Sequence, residues 1–162
     1  MLFDTHAHLN DEKFDTDIDD VVLRAKKENV EKILVASYDM ESTRKAVTIS
    51  NRYRGIYCSV GIHPHQAKDY NDNAKQELEV IISNNKSKIV AIGETGLDFH
   101  YDFSPVENQI EVFKKHIELA YKYNLPLVIH DRKAHDECLA IVKDYAKRGL
   151  LPDKRGVFHC FS

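Results

Sequence analysis

The chain has no basic stripe and no run rich in lysine or arginine. Its 23 Lys and Arg are outnumbered by 26 Asp and Glu, for a formal net charge of −3 and a pI near 6.3. Bulk charge therefore cannot hold a polyanion, and any nucleic acid bound here must be held by metal ions and local contacts. Cysteine is scarce. Cys58, Cys138 and Cys160 are an odd number at unrelated spacings, which excludes a disulfide framework and points to a reducing compartment. Cys160, beside His159, reads as a small buried thiol rather than a ligand or nucleophile. Met1-Leu2-Phe3 runs directly into Asp4, too short for the apolar core of a signal peptide. No apolar run approaches membrane-spanning length. These absences predict a cytoplasmic protein with no membrane contact and no evident obligate protein partner. There is also no linker, repeat or low-complexity segment, so residues 1–162 read as a single domain.

What is present is ordinary for a soluble α/β protein, with 43% hydrophobic and 30% charged residues. Short apolar runs alternate with amphipathic segments. Met1-Leu2-Phe3, Ile33-Leu34-Val35-Ala36, Ile56–Val60, Ile89-Val90-Ala91-Ile92, Leu127-Val128-Ile129 and Gly156-Val157-Phe158 read as six buried strands. Between them, helical spacing puts Ile18, Val21, Val22 and Ala25 on one face. Ala46, Ile49, Ser50 and Tyr53 form the next face, then Leu78, Ile81 and Ile82, then Ile110, Phe113, Ile117 and Ala120. The last comprises Cys138 or Leu139, Val142 and Ala146. Continuous apolar strands that alternate with helices predict a parallel sheet covered by helices.

The candidate chemistry falls at strand ends. His6 and His8, two apart at the end of the first strand, point to one face. His63 and His65 flank Pro64 after the third. Glu94 sits between Gly93 and Gly96 after the fourth, with Asp98 beyond. His130 and Arg132 follow the fifth, and His159 the sixth. A doubly wound sheet gathers its ligand at one switch point, whereas a (β/α)8 barrel collects residues from many strand ends at one mouth. The barrel is the better reading. Six strands in 162 residues fall short of the eight strands and ~250 residues of such a barrel, so the sequence is expected to cover roughly its first two-thirds. Imidazoles with a single carboxylate suit Zn, Mn, Fe, Co or Ni, and Mg with waters. One Glu between two pairs of His can bridge two divalent metal ions, which together activate a water.

Longer motifs carry a resemblance. The segments Asp4–Leu9, Val60–His65, Gly93–Asp98, Gln109 with Phe113 and Ala120, Pro126–Ala134 and Val157–Ser162, in this order, resemble the TatD-type metal-dependent hydrolases. These are deoxyribonucleases of the metallo-dependent hydrolase superfamily of TIM-type barrels. The resemblance covers the whole chain and implies the first six βα units of that fold. It further implies that His6 and His8 hold one metal, that His130 and His159 hold the other, and that Glu94 bridges them as the catalytic carboxylate. His63, His65 and Arg132 fall near the substrate, and Asp98 supports Glu94 from outside. The implied activity is hydrolysis of DNA phosphodiester bonds, of 3′ to 5′ exonuclease type. The resemblance also implies a further metal-binding Asp after a seventh strand, which would be the general base and lies beyond the quoted residues. Two alternatives stand beside this reading. One is a hydrolase of a small amide, lactone or phosphoester, and the other is a metal-binding barrel fragment without turnover.

Overall fold

A computed structural model describes residues 1–161. Ser162, the last residue of the final motif, lies outside the described residues. Six strands and five α-helices alternate: β1 (Leu2–Ala7), α1 (Ile18–Lys27), β2 (Val30–Val35), α2 (Met40–Arg52), β3 (Ile56–Val60), α3 (Asp72–Asn84), β4 (Ile89–Asp98), α4 (Val106–Tyr123), β5 (Leu127–Arg132), α5 (His135–Lys147) and β6 (Gly156–His159). Short 3₁₀ turns cover Glu12–Phe14 and Pro64–Asp69. The strands run parallel in the order of the chain, β1 to β6, in one sheet. Sequential parallel order with a helix in every crossover is the build of a βα barrel. The sheet curls far enough to bring the ends of β1 and β6 together: the His6 and His159 rings stack with centroids 3.7 Å apart.

Local chemistry sets the element ends. Asp39 and Ser42 form a reciprocal capping box at the start of α2, satisfying two otherwise unpaired backbone donors. Asn71 caps α3 by accepting the Ala74 N–H at 3.0 Å. Asn124 ends α4 in the left-handed conformation (φ 50°), where a short polar side chain is tolerated. Behind the sheet, Val35, Cys58, Val60, Ile92, Phe113, Ile117 and Leu127 form part of one continuous buried core.

Four expectations need correction. β4 does not stop at Ile92 but runs through Glu94 to Asp98. Gly93 permits this: at φ 142° it passes so close to β5 that an added Cβ would run into the Val128 carbonyl. β1 is not a buried strand, since Leu2 and Phe3 are 59% and 49% exposed. It pairs with β2 on one side and, among the described residues, with nothing on the other; the opposite edge strand, β6, is likewise not buried, with Val157 54% exposed. On α5, Cys138 is buried and Val142 packs against the core as expected, but Tyr145 takes the inward place expected of Ala146, which is exposed like Leu139. Cys160 is only partly buried and has φ 56°, a turn after the strand end rather than a core thiol.

Candidate metal centre

The register of the central strands assembles the site. His130 on β5 is the direct partner of His159 on β6, and Thr95, next to Glu94, is the partner of Ile129. Side chains on registered parallel neighbours share a face, so Glu94, His130 and His159 converge. The Glu94 carboxylate is 3% exposed and forms the hub. His6 Nε2 lies 3.2 Å and His8 Nε2 3.6 Å from its Oε2. His130 Nδ1 at 3.2 Å, His159 Nε2 at 3.5 Å and His63 Nε2 at 4.0 Å surround Oε1. Five of the six imidazoles named at strand ends one, three, five and six thus face one carboxylate, and the sixth, His65, turns to Asp98. The donor atoms fall into two groups, His6 with Glu94 and His159, and His63 with Glu94 and His130. This partition differs from a pairing of His6 with His8 and of His130 with His159.

Hydrogen bonds on the far side of each ring determine which nitrogen faces the hub. His8 Nδ1 donates to the Ala36 carbonyl at 3.0 Å, leaving the Nε2 lone pair toward Glu94. His130 Nε2 donates to Asp98 Oδ2 at 3.1 Å, leaving the Nδ1 lone pair. Such outer partners fix the tautomer of a metal-ligating imidazole. His63 is different. Its Nδ1 accepts the backbone N–H of His65 at 3.1 Å, so its proton resides on Nε2. That Nε2–H points at His130 Nδ1, 3.1 Å away. Burial pushes the His63 imidazole down to about 3, against the pull of Glu94. It is a neutral N–H donor, not a lone-pair ligand.

The donor set fits a cation. His6 Nε2 is buried without a hydrogen-bond partner. The His8 lone pair faces a carboxylate that is itself an acceptor, an arrangement that a positive charge between them relieves. Burial pushes the Glu94 carboxyl up, but the His130, His6 and His63 imidazoles outweigh it and hold the group below the usual carboxylate range. Neutral nitrogen donors around one ionised carboxylate suit a borderline divalent metal.

Asp98 is the second hub. It is fully buried. Its Oδ2 accepts His65 Nε2–H at 2.8 Å and His130 Nε2–H. Its Oδ1 accepts the backbone N–H groups of His100 and Tyr101 at 2.9 and 3.1 Å. Burial alone would raise this carboxyl, but the four donors bring it down to about 2. Arg132 sits with its guanidinium 4.8 Å above the Tyr101 ring, and among the described residues no carboxylate lies within ion-pair distance of it. Two further residues support the site: His116, which was not singled out in the sequence, and Gln109, which entered there only as part of the family resemblance. Buried His116 on α4 accepts the Ile62 N–H at Nε2 (3.0 Å) and donates Nδ1–H to Val112, holding the loop that carries His63. Gln109 Oε1 accepts the Asp98 N–H at 2.9 Å. The available signal was a His and a Gln falling within the apolar helical stripe of α4.

A family model described as TatD related DNase matches residues 3–162. The chain belongs to the TatD-related DNase family. Its TatD relatives include the uncharacterized metal-dependent hydrolase YabD of Bacillus subtilis, 41% identical over the whole of this chain and 61% of YabD. The 3′-5′ ssDNA/RNA exonuclease TatD of Cronobacter sakazakii is 33% identical over 99% of this chain and 59% of its own. The crystal structure of the TatD homologue YjjV from Escherichia coli superposes with a TM-score of 0.88 at 28% identity, over 99% of this chain and 60% of that one. A TatD family hydrolase from Entamoeba histolytica gives 0.89 at 28% identity, over 99% of this chain and 58% of that one. The chain thus spans about three-fifths of the length of these TatD relatives. Family and superposition together establish a TatD-type metal-dependent hydrolase fold with six parallel strands of the barrel.

Proposed function

We propose that this TatD-family hydrolase removes nucleotides from the 3′ end of single-stranded DNA by metal-dependent hydrolysis of phosphodiester bonds. The observation that carries the reading is the convergence of His6, His8, His130 and His159 on buried Glu94, with the His8 lone pair directed at the carboxylate and His6 Nε2 buried without a hydrogen-bond partner. We assign these five residues as holders of two divalent ions, with Glu94 between them. Two such ions would supply a polarised phosphoryl oxygen and a water of lowered pKa. The donor set is compatible with Zn, Mn, Fe, Co, Ni or Mg.

The chain's own groups do the rest. Glu94 keeps the centre anionic and orders the four rings around it. His63 presents Nε2–H toward the same point and, staying neutral, can donate to a phosphoryl oxygen without giving up its proton. Arg132 supplies an unpaired guanidinium, whose fork matches two oxygens of one phosphate. His65 spends its Nε2–H on Asp98, so its role is to position Asp98 while standing beside the substrate. The three unpaired thiols, Cys58, Cys138 and Cys160, support a reducing, cytoplasmic location for this one-domain unit. No helix among the described residues is long and apolar enough to cross a membrane.

The test is hydrolysis of a 5′-labelled single-stranded oligonucleotide by protein stripped of metal and then reloaded with each ion in turn. Stepwise shortening from the 3′ end that needs metal and vanishes in Glu94→Ala supports the reading. Turnover of small esters or amides with the oligonucleotide left intact would overturn it.

A further inference from the structure

We propose that Tyr101 and Phe103, backed by Arg132, form a stacking platform for a nucleobase at the mouth of the site. The loop between β4 and α4 places both rings at the surface. Tyr101 is 43% and Phe103 53% exposed, and their rings stack 5.2 Å apart at 25°. His65 packs edge-on against both, at 5.5 and 4.8 Å. The Arg132 guanidinium lies 4.8 Å above Tyr101. Two near-parallel, half-exposed rings with a cation over one of them form an aromatic surface beside a positive charge. That is the chemistry that accepts the flat face and the phosphate of one nucleotide.

Three further observations favour this occupant. First, the platform is continuous with the candidate centre: Arg132 is two residues beyond His130 on β5, and His65 bonds Asp98, which also bonds His130. A base stacked here would belong to the nucleotide whose phosphate reaches the ions held around Glu94. Second, the loop is held in place. Asp98 grips the His100 and Tyr101 N–H groups. Ser104 donates to the His65 carbonyl at 2.7 Å and accepts the Lys68 N–H at 3.2 Å, and Gln109 donates to the Ser104 carbonyl at 2.9 Å. A surface already ordered loses little entropy when it binds. Third, the chain carries net negative charge and no basic run, so bulk attraction for phosphate cannot supply the grip on a strand. Stacking is sequence-tolerant and needs an unpaired base, which makes a single strand the substrate class.

The proposal rests on the nuclease reading, and the test separates the two. The probe is a fluorescent single-stranded phosphorothioate of about ten nucleotides, which resists hydrolysis, with Mg²⁺ present. A matched strand carries abasic sites at its 3′ end. Binding is followed by anisotropy for the parent protein and for Tyr101→Ala, Phe103→Ala and Tyr101→Phe, each checked for folding by circular dichroism. The expected result is a loss on the order of tenfold in affinity for each alanine variant. The parent should discriminate against the abasic strand by a similar factor, and Tyr101→Phe should behave as the parent. The log–log salt slope should be no steeper than about −2, equivalent to about three phosphate contacts. Equal affinity for ordinary and abasic strands, or alanine variants that bind as the parent does, overturns the platform. If ordinary oligonucleotides are still shortened from the 3′ end in that case, the nuclease reading survives it. If instead the parent discriminates against abasic strands but shortens none, the platform stands and the nuclease reading falls.

Discussion

His6 and His159 stack ring on ring, 3.7 Å apart and 11° from parallel, although they come from the first and sixth strands and those strands share no backbone hydrogen bond. The contact reports the curl of the sheet more directly than any strand pair does. Both rings also lie against Glu94, so the residues that mark the curl belong to the proposed centre. His159→Ala and His6→Ala are expected to remove one metal equivalent each or to weaken binding by at least about 10–100-fold. Metal analysis after dialysis against a weak chelator measures this. Full stoichiometry with parent affinity in both variants would remove these residues from the centre.

Asp98 holds His130 from behind. Asp98→Asn keeps the volume but offers one oxygen where two imidazole N–H groups and two backbone N–H groups now converge. Metal affinity should fall on the order of 10–100-fold, and the His130 ring should lose its fixed tautomer. Nitrogen-15 shifts of the histidine rings, recorded without metal, report the tautomer independently of activity. Unchanged shifts and unchanged affinity would reduce Asp98 to a loop anchor.

His116 gives the fold a pH dependence. Burial lowers its imidazole from an ordinary value near 6.5 to about 4, against the hydrogen bond to Val112. The folded state therefore prefers the neutral ring. Its contribution is fully present above about pH 6.5 and is lost as pH falls toward 4, because the unfolded chain takes up the proton first. The expected loss is on the order of 3 kcal/mol. Urea unfolding at pH 7.5 and pH 5 should show a smaller difference in His116→Gln than in the parent. Equal differences would assign the pH effect to other groups.

Much of this was legible in the sequence, for physical reasons that also explain the misses. Six short apolar runs and their helical intervals pointed to the barrel, because the central strands, buried on both faces, must be apolar throughout. His-x-His at a strand end and Glu94 among glycines gave the hub. The length of β4 was hidden by Gly93 and Gly96, which read as loop residues. In the structure their missing side chains are what let the strand run past β5. The exposure of Leu2 and Phe3 on β1 could not be seen, since an apolar strand looks alike whether or not both its faces are covered. The role of His63 as a donor depends on a single N–H from His65, a contact that spacing does not reveal.

Gly93→Ala tests the backbone at the hub. The residue has φ 142°, and a Cβ would meet the Val128 carbonyl and side chain. An alanine is strained there and has no room, so the variant should lose about 1–3 kcal/mol of stability. Chemical denaturation measures the loss. A variant as stable as the parent would show that β4 and β5 can separate without cost.

Arg132→Ala separates substrate contact from metal binding. The guanidinium lies over Tyr101 and has no carboxylate partner among the described residues, so no ion pair among them uses its charge. It stands two residues past His130 on the same strand, close to the centre without facing Glu94. If it grips phosphate, alanine should remove a charge-assisted contact worth about 1.5–3 kcal/mol, a loss of roughly 10–150-fold in kcat/KM on phosphodiester substrates. Metal stoichiometry should be unchanged, because no nitrogen of Arg132 belongs to either donor group. Arg132→Lys should recover only part of the loss, since a single ammonium cannot reproduce the two-pronged match to phosphate. Metal content and steady-state kinetics on the same preparations decide the matter. Loss of metal in Arg132→Ala would place the residue in the architecture of the centre, and full recovery by lysine would show that charge alone, without the fork, is what the substrate reads.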